Sequence, residues 1–367
     1  MSRLPDVETT IATLQAIGSA PTAPYHEAHA LAAILEEVVR SGIHIRVDAY
    51  GQLFARIQRG EARPIALVAH TDHPAFEVVS AHGHEGIARV LGGFRGSPFE
   101  SAVALRVYDD HGHGPVPVTF DRFVPDLDPV HNSAGRGRIR GDAPLAAGQW
   151  AVLELPSFEQ HDQRIAMGAA DDLAGCAVIV LALRELAAGS FPTDVTGIFT
   201  RAEETGLYGA RLLVEEGLIP RDAIVVSVEA SRELPHARSG SGVVVRAGDL
   251  HNTFTNDAER YLRAAAERLA RDGIATQRAL LDGGTCEGST FVVRGWATTA
   301  IALPNVNYHN RGADGRFAPE IVHLEDVRSA VALLAEAARA VAEELRESWW
   351  ADAGPVPDDV KRILRAE

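Results

Sequence analysis

Apolar residues along this chain follow two different rhythms, and the switch between them divides the sequence. Over residues 6 to 17 and 24 to 41 they recur at helical spacing. In the second stretch Leu31, Ile34, Leu35 and Val38 fall on one side, with Pro24 placed to open the helix and Gly42 to close it. HIRVDAYGQLFARI, 44 to 57, reads as two short strands joined around Tyr50 and Gly51. IALVAH, 65 to 70, is a continuous apolar run, as a strand buried on both faces of a central sheet requires, and it ends in His70-Thr71-Asp72. From about 73 to about 165 the texture changes. Short alternating runs (FEVVS, GIARVLGGF, AVALRVYDD, GRGRIRG, QWAVLEL) stand between Gly, Pro, Asp and His clusters, the pattern of a small all-β barrel or sandwich. His82, His84, His111, His113 and His131 mostly sit in its glycine-rich turns and read as solvated loop residues rather than ligands.

Helical texture returns at AADDLAGCAVIVLALRELAAG, 169 to 189, and regular alternation follows. Strands are predicted at 194–201, from 223, at 243–248, 276–280 and 298–304; helices at 206–216, 256–271, briefly after GGTCEGS, and at 324–345. The pattern predicts an α/β fold, a doubly wound mixed sheet with helices on both faces. Residues 1–72 alone have too little core to stand. The expected organisation is therefore a catalytic α/β domain of residues 1–72 plus 166–367, interrupted by an inserted β-rich domain, 73–165. The tail from Ser348, with Trp349 and Trp350, reads as irregular and as packing on the surface or on a partner.

Composition narrows the function. With 35 basic against 50 acidic residues the formal net charge is -15, which gives no reason to expect nucleic acid or an anionic membrane as a partner. MSRLPDVETTIATLQ lacks the apolar core of a signal peptide and no apolar run reaches spanning length, so the expected location is the cytoplasm. Cys176 and Cys286 are the only cysteines, too few for a disulfide framework or a thiolate zinc site. Any metal must use oxygen and imidazole ligands.

Candidate chemistry collects at strand ends and helix starts. In TRAEETG, 200 to 206, a β-branched run stops at two adjacent carboxylates, Glu203 and Glu204, whose side chains point in different directions. One can hold a metal while the other handles protons, as a metal-activated hydrolase requires. Each group taken singly has an ordinary reading. His70 could be a satisfied core histidine, Asp171 and Asp172 a helix cap, Glu229 the passage from core to solvent, His309 a loop residue. Together with Asp72, which would lie on the same face as His70, they end separate strands of one sheet, and the carboxyl ends of such strands line a common crevice.

The order HTD, ADD at a helix start, AEETGLYGA, a strand ending in an acid, GGTCEGS, then a strand and YH resembles the dinuclear metallo-aminopeptidases of the tetrahedral and glutamyl aminopeptidase type, within the zinc-exopeptidase superfamily and its phosphorylase/hydrolase-like fold. The resemblance spans about residues 6 to 345, β-module included. It implies His70, Asp171 and Glu229 around one divalent ion and Asp171, Glu204 and His309 around a second, with zinc, cobalt or manganese suited to these donors. It further implies Glu203 as the general base toward a water between the metals, Asp72 orienting His70, and a non-proline cis peptide at Asp171-Asp172. Departures are visible. Glu229 stands where Asp is usual and Leu173 where Arg is usual. His73-Pro74-Ala75 replaces an acid-isoleucine-glycine continuation, and Asn310 follows His309 in place of Ser.

The function implied is removal of N-terminal residues from short peptides, with Glu287 in GGTCEGS as a candidate for binding the free amine. Another amide hydrolase of the superfamily (carboxypeptidase, dipeptidase or N-acyl amino acid deacylase) or a catalytically silent metal-binding scaffold are the alternatives. By the same analogy, a homo-oligomer forms through the inserted module.

Overall fold

In the computed structural model, residues 4–94, 99–109, 115–344 and 354–365 are described. The readings of His111, His113, Trp349 and Trp350 lie outside the described residues. Two helices, α1 (Val7–Gly18) and α2 (Ala28–Val39), precede a hairpin, β1 (His44–Val47) and β2 (Leu53–Arg59), and then β3 (Ile65–His70). Next come β4 (Ala75–His82), β5 (Glu85–Leu91), β6 (Val103–Tyr108), β7 (Val116–Asp128), β8 (Ser133–Gly141) and β9 (Trp150–Leu153), followed by a second hairpin, β10 (Phe158–His161) and β11 (Arg164–Met167). The chain continues through α3 (Ala170–Ala188), β12 (Thr193–Thr200), α4 (Tyr208–Glu215), β13 (Ile224–Arg232), β14 (Val243–Gly248), α5 (Asn256–Arg271) and β15 (Thr276–Leu280). It closes with α6 (Gly288–Val292), β16 (Ala297–Asn305), β17 (Glu320–His323), α7 (Leu324–Ala342) and α8 (Asp358–Leu364).

Eight strands make the main sheet in the order β1-β2-β12-β3-β13-β16-β14-β15. The inner four, β12, β3, β13 and β16, run parallel, so their carboxyl ends share one edge. Every residue of β3 is buried, which is why its sequence is an unbroken apolar run. Helix α3 is apolar all round, as a helix covered on every side must be, and packs against α1, α7, β3 and β13. Gly197 in β12 admits it closely: a Cβ there would meet Ile179 Cγ2 at 2.6 Å.

Strands β4 to β9 close into a barrel in the order β4-β5-β8-β7-β6-β9. Its alternation is visible in β6, where Val103, Leu105 and Val107 point inward. Phe76, Phe94 and Phe120 fill the interior, and Phe317, from the loop after β16, packs on Phe94 and Phe99 at the barrel's mouth. His82, the last residue of β4, and His84, in the turn after it, are exposed; His131 is half-buried and meets the Tyr25 hydroxyl at 3.0 Å.

Two local expectations fail. Helix α2 begins at Ala28, not at Pro24, because Glu27 is occupied elsewhere: its carboxylate accepts from Tyr25 N, Ala202 N and Arg201 Nε, pinning the segment to the turn after β12. And β10, β11 and β17 form a separate three-stranded sheet that strands of only four residues gave no reason to anticipate. Among the described residues no helix is long and apolar enough to cross a membrane.

Candidate metal centre

The parallel strands deliver their acids and imidazoles to one place. β3 ends in His70, the turn after β12 carries Glu203 and Glu204, and Glu229 is the sixth residue of β13. Asp171 opens α3 with extended rather than helical backbone, joined to Asp172 by a cis peptide bond. His309 lies in a short 3₁₀ turn beyond β16. Asp171 sits between the two histidines: His70 Nε2 is 3.3 Å from its Oδ1 and His309 Nε2 is 3.3 Å from its Oδ2. His309 Nε2 is also 3.3 Å from Glu204 Oε1. Ligand atoms of His70, Asp171 and Glu204 fall within 4.8 Å of one another, as do those of His70, Glu203 and Glu229.

The donor set fits divalent cations. His70 Nε2, Asp171 Oδ1, Glu204 Oε1, Glu229 Oε2 and His309 Nε2 are all buried, and none has a hydrogen-bond partner despite the close approaches just given. Atoms of that kind are costly to bury unless something else satisfies them. Both rings are turned to serve: His70 Nδ1 donates to the Asp72 carbonyl oxygen (3.1 Å) and His309 Nδ1 to the Gly93 carbonyl oxygen (3.3 Å), which leaves each Nε2 facing the acids. Gly93 is there of necessity, since a Cβ would stand 2.5 Å from His309 Cε1.

The electrostatics agree. Burial, then the charges of Glu229, Glu204 and Asp72, push Glu203 well above the usual carboxylate range. Burial, then Asp171, pushes Glu229 up to about 8. Burial works against protonation of the two imidazoles, yet Glu203 at His70 and Glu204 at His309 hold both well above their ordinary value. Asp171, though buried, is held low by His309 and His70. A buried cluster of this composition attracts positive charge, and hard oxygen donors with imidazole are what zinc, cobalt and manganese accept.

Asp72 takes a different part from the one expected. Its carboxylate serves the backbone: Oδ1 accepts from Glu203 N (2.9 Å) and Oδ2 from Glu204 N (3.0 Å), while His70 Nδ1 lies 3.6 Å from Oδ1 and bonds instead to the Asp72 carbonyl. Glu287 needs correcting. Its side chain is wholly buried, one oxygen accepts from the Thr200 hydroxyl (2.6 Å), and burial pushes it up to about 7. It is not among the residues that line the cleft above the centre, so an amine there does not meet it. Asp172 turns away as well and accepts from Ala230 N at 3.0 Å.

Above the centre opens a cleft of about 480 Å³ between sheet edge and barrel, lined by Glu203, Glu204, His309, Phe94, Phe317, Asn132, Arg232 and Arg311 among others. Asn132, from the β7–β8 turn, donates to the Glu204 carbonyl oxygen at 2.8 Å. Asn132, Gly93, Glu320 and His73 all contact the centre, and sequence reasoning missed them. Only His73 carried a signal, as part of the departure after His-x-Asp.

Known proteins share this fold. A curated protein of Acetivibrio thermocellus, named as a candidate aminopeptidase, is 26% identical over 318 residues, 83% of this chain and 91% of its own. Among solved structures, the TET aminopeptidase of the Thaumarchaeota archaeon SCGC AB-539-E09 superposes with a TM-score of 0.76 at 18% identity, covering 92% of this chain and 99% of its own. An aminopeptidase of the archaeon Desulfurococcus kamchatkensis gives 0.74 at 20%, covering 95% and 99%. The Pyrococcus horikoshii TET1 peptidase, which can assemble into a tetrahedron or a large octahedral shell, gives 0.74 at 21%, covering 90% and 99%. The model of the M42 glutamyl aminopeptidase family matches residues 142–333, more than half of the sequence and every candidate ligand except His70, and the chain belongs to that family.

Proposed function

We propose that this member of a metal-dependent aminopeptidase family removes N-terminal residues from short peptides, using two divalent ions, most simply zinc. His70, Asp171 and Glu229 would hold one and Asp171, Glu204 and His309 the other. The observation that carries this reading is the set of five buried ligand atoms, one from each of these residues, that have no hydrogen-bond partner among the described residues. Cations held there would supply Lewis acidity, polarising the scissile carbonyl and lowering the pKa of a water so that it can give up a proton and attack.

The chain's own groups do the rest. Glu203, with a proton affinity raised by burial and by its acidic neighbours, accepts a proton from the attacking water and delivers it to the departing amine. Asp72 fixes the backbone of Glu203 and Glu204, and so the direction from which that base acts. A cleft of this volume accommodates the end of a peptide rather than a folded domain. Arg232 and Arg311 are exposed along it, and Arg232 lies 5.4 Å from the Tyr308 ring, itself stacked on His309. Their charge suits substrates that carry a carboxylate near the scissile bond.

We further assign residues 73–165 to an inserted domain on a catalytic domain of 1–72 plus 166–367, and place the protein in the cytoplasm, where its two buried free thiols would persist. Self-association through the insert is supported by exposed Val124, Leu127 and Val130 on the β7–β8 ribbon. The deciding experiment gives metal-loaded protein a panel of aminoacyl anilides, dipeptides and N-acylated amino acids. Turnover of free-amine substrates alone is expected; none with any of them removes the reading.

A further inference from the structure

Asp171 lies 3.3 Å from both imidazoles, so a small movement of its backbone alters both approaches together. Buried groups outside the ligand set hold that backbone from two sides. Glu320, in β17, is fully buried and accepts the Asp171 N–H on one carboxylate oxygen (2.8 Å) and the His309 N–H on the other (2.6 Å). His73 faces the Asp171 carbonyl oxygen with Nδ1 and Asn310 Oδ1 with Nε2 (2.9 Å), while Asn310 Nδ2 donates to the Gly168 carbonyl oxygen (2.9 Å). His73 and Asn310, two departures from the resembling motifs, are thus one hydrogen-bonded pair.

We propose that Glu320 and His73 are positioning residues that set the affinity of the centre for divalent cations, Glu320 by tying the backbone of Asp171 to that of His309 and His73 by fixing the Asp171 carbonyl. Neither lines the cleft that holds Glu203, Glu204 and His309. Glu320 is a buried carboxylate whose two oxygens go to two different ligand-bearing segments, and nothing else described accepts those two N–H groups. His309 and Asn310 both have left-handed backbone, a conformation that non-glycine residues hold only when their surroundings fix it. Partners that orient metal ligands typically change affinity about tenfold to a hundredfold when removed.

The inference rests on reading Asp171 and His309 as ligands, and its principal readout, cation affinity, needs no turnover. Zn²⁺ or Co²⁺ alone is titrated calorimetrically into metal-free wild type, Glu320→Gln, His73→Asn and His73→Gln, with thermal unfolding of each metal-free form alongside. Glu320→Gln should bind about tenfold to a hundredfold more weakly. His73→Asn, which keeps an N–H near the Nδ1 position, should retain most of the wild-type affinity; His73→Gln should lose it. At saturating metal KM should match wild type. Wild-type affinity in both Glu320→Gln and His73→Gln, with only the melting temperature lowered, overturns the proposal, as does a change in KM at saturating metal. Should Glu320→Gln fail to fold, the His73 pair carries the test. A wild type that binds no cation sinks the ligand assignment itself, an outcome distinct from variants that match a cation-binding wild type.

Discussion

Asp72→Asn separates two ways in which one carboxylate could serve this centre. Both oxygens of Asp72 are fully buried and each accepts one backbone N–H, from Glu203 at 2.9 Å and Glu204 at 3.0 Å. Asparagine keeps one acceptor and turns an N–H₂ toward the other amide. The substitution therefore forfeits one hydrogen bond to a charged acceptor, worth about 1.5 to 3 kcal/mol, and leaves a buried N–H without a partner. Applied to the position of Glu203, that energy corresponds to roughly a ten- to 150-fold loss in kcat. The His70 ring depends on the Asp72 main-chain carbonyl (3.1 Å), which the substitution preserves, so cation affinity should change less than kcat. The assay is kcat and KM on an aminoacyl anilide at saturating metal, with cation titration and denaturant unfolding in parallel. Wild-type kcat together with wild-type stability would refute the reasoning. A collapse in affinity with kcat intact at saturating metal would show that Asp72 works through His70 after all.

Other expectations are independent of that one. Glu203→Gln should lower kcat by about 10² to 10⁴ while cation stoichiometry, read by elemental analysis, stays as in wild type. Because burial and Asp171 push Glu229 up to about 8, and a cation needs the ionised form, affinity should rise with pH until about 8 and binding should release protons. Calorimetry in buffers of different ionisation enthalpy detects that release. The same raised value means that the folded metal-free protein holds a proton the unfolded chain gives up above about 4.5, so its stability should fall as pH rises toward 8, and added metal should cancel the trend. Arg232→Ala and Arg311→Ala should raise KM for carboxylate-bearing peptides more than for neutral ones; equal effects on both would leave the arginines without a part in substrate choice. Leu127→Glu probes the association surface and should reduce the mass measured by light scattering while leaving the barrel intact, since that side chain is 83% exposed.

Much of this is legible in the sequence because burial on both faces leaves a plain mark. The apolar runs of β3, β13 and β16 and the apolar stretch Leu173 to Leu183 of α3 can be read directly, and so the polar groups that interrupt or end them stand out. His70, Asp171, Glu203, Glu204, Glu229 and His309 are found in that way. What escapes is whatever depends on backbone atoms. Asp72 reads as a partner of the His70 ring because a side-chain pattern says nothing of the two amides it caps. Glu287 reads as a candidate for binding the free amine, whereas its side chain is wholly buried and accepts from the Thr200 hydroxyl. Glu320 sits in a strand of four residues, too short for a periodicity to show, and Asn132 and Gly93 reach the centre from the barrel across a distance in sequence that no local pattern spans.

The contact at Gly93 restricts how this chain can vary. Its carbonyl steadies His309, and the absence of a side chain there is what lets the imidazole stand where it does. A barrel transplanted from another protein would need to bring the same bare stretch of main chain to within touching distance of that ring. Drift in the barrel is in this sense constrained at Gly93, which faces the histidine, as it is at Asn132, which holds the Glu204 carbonyl.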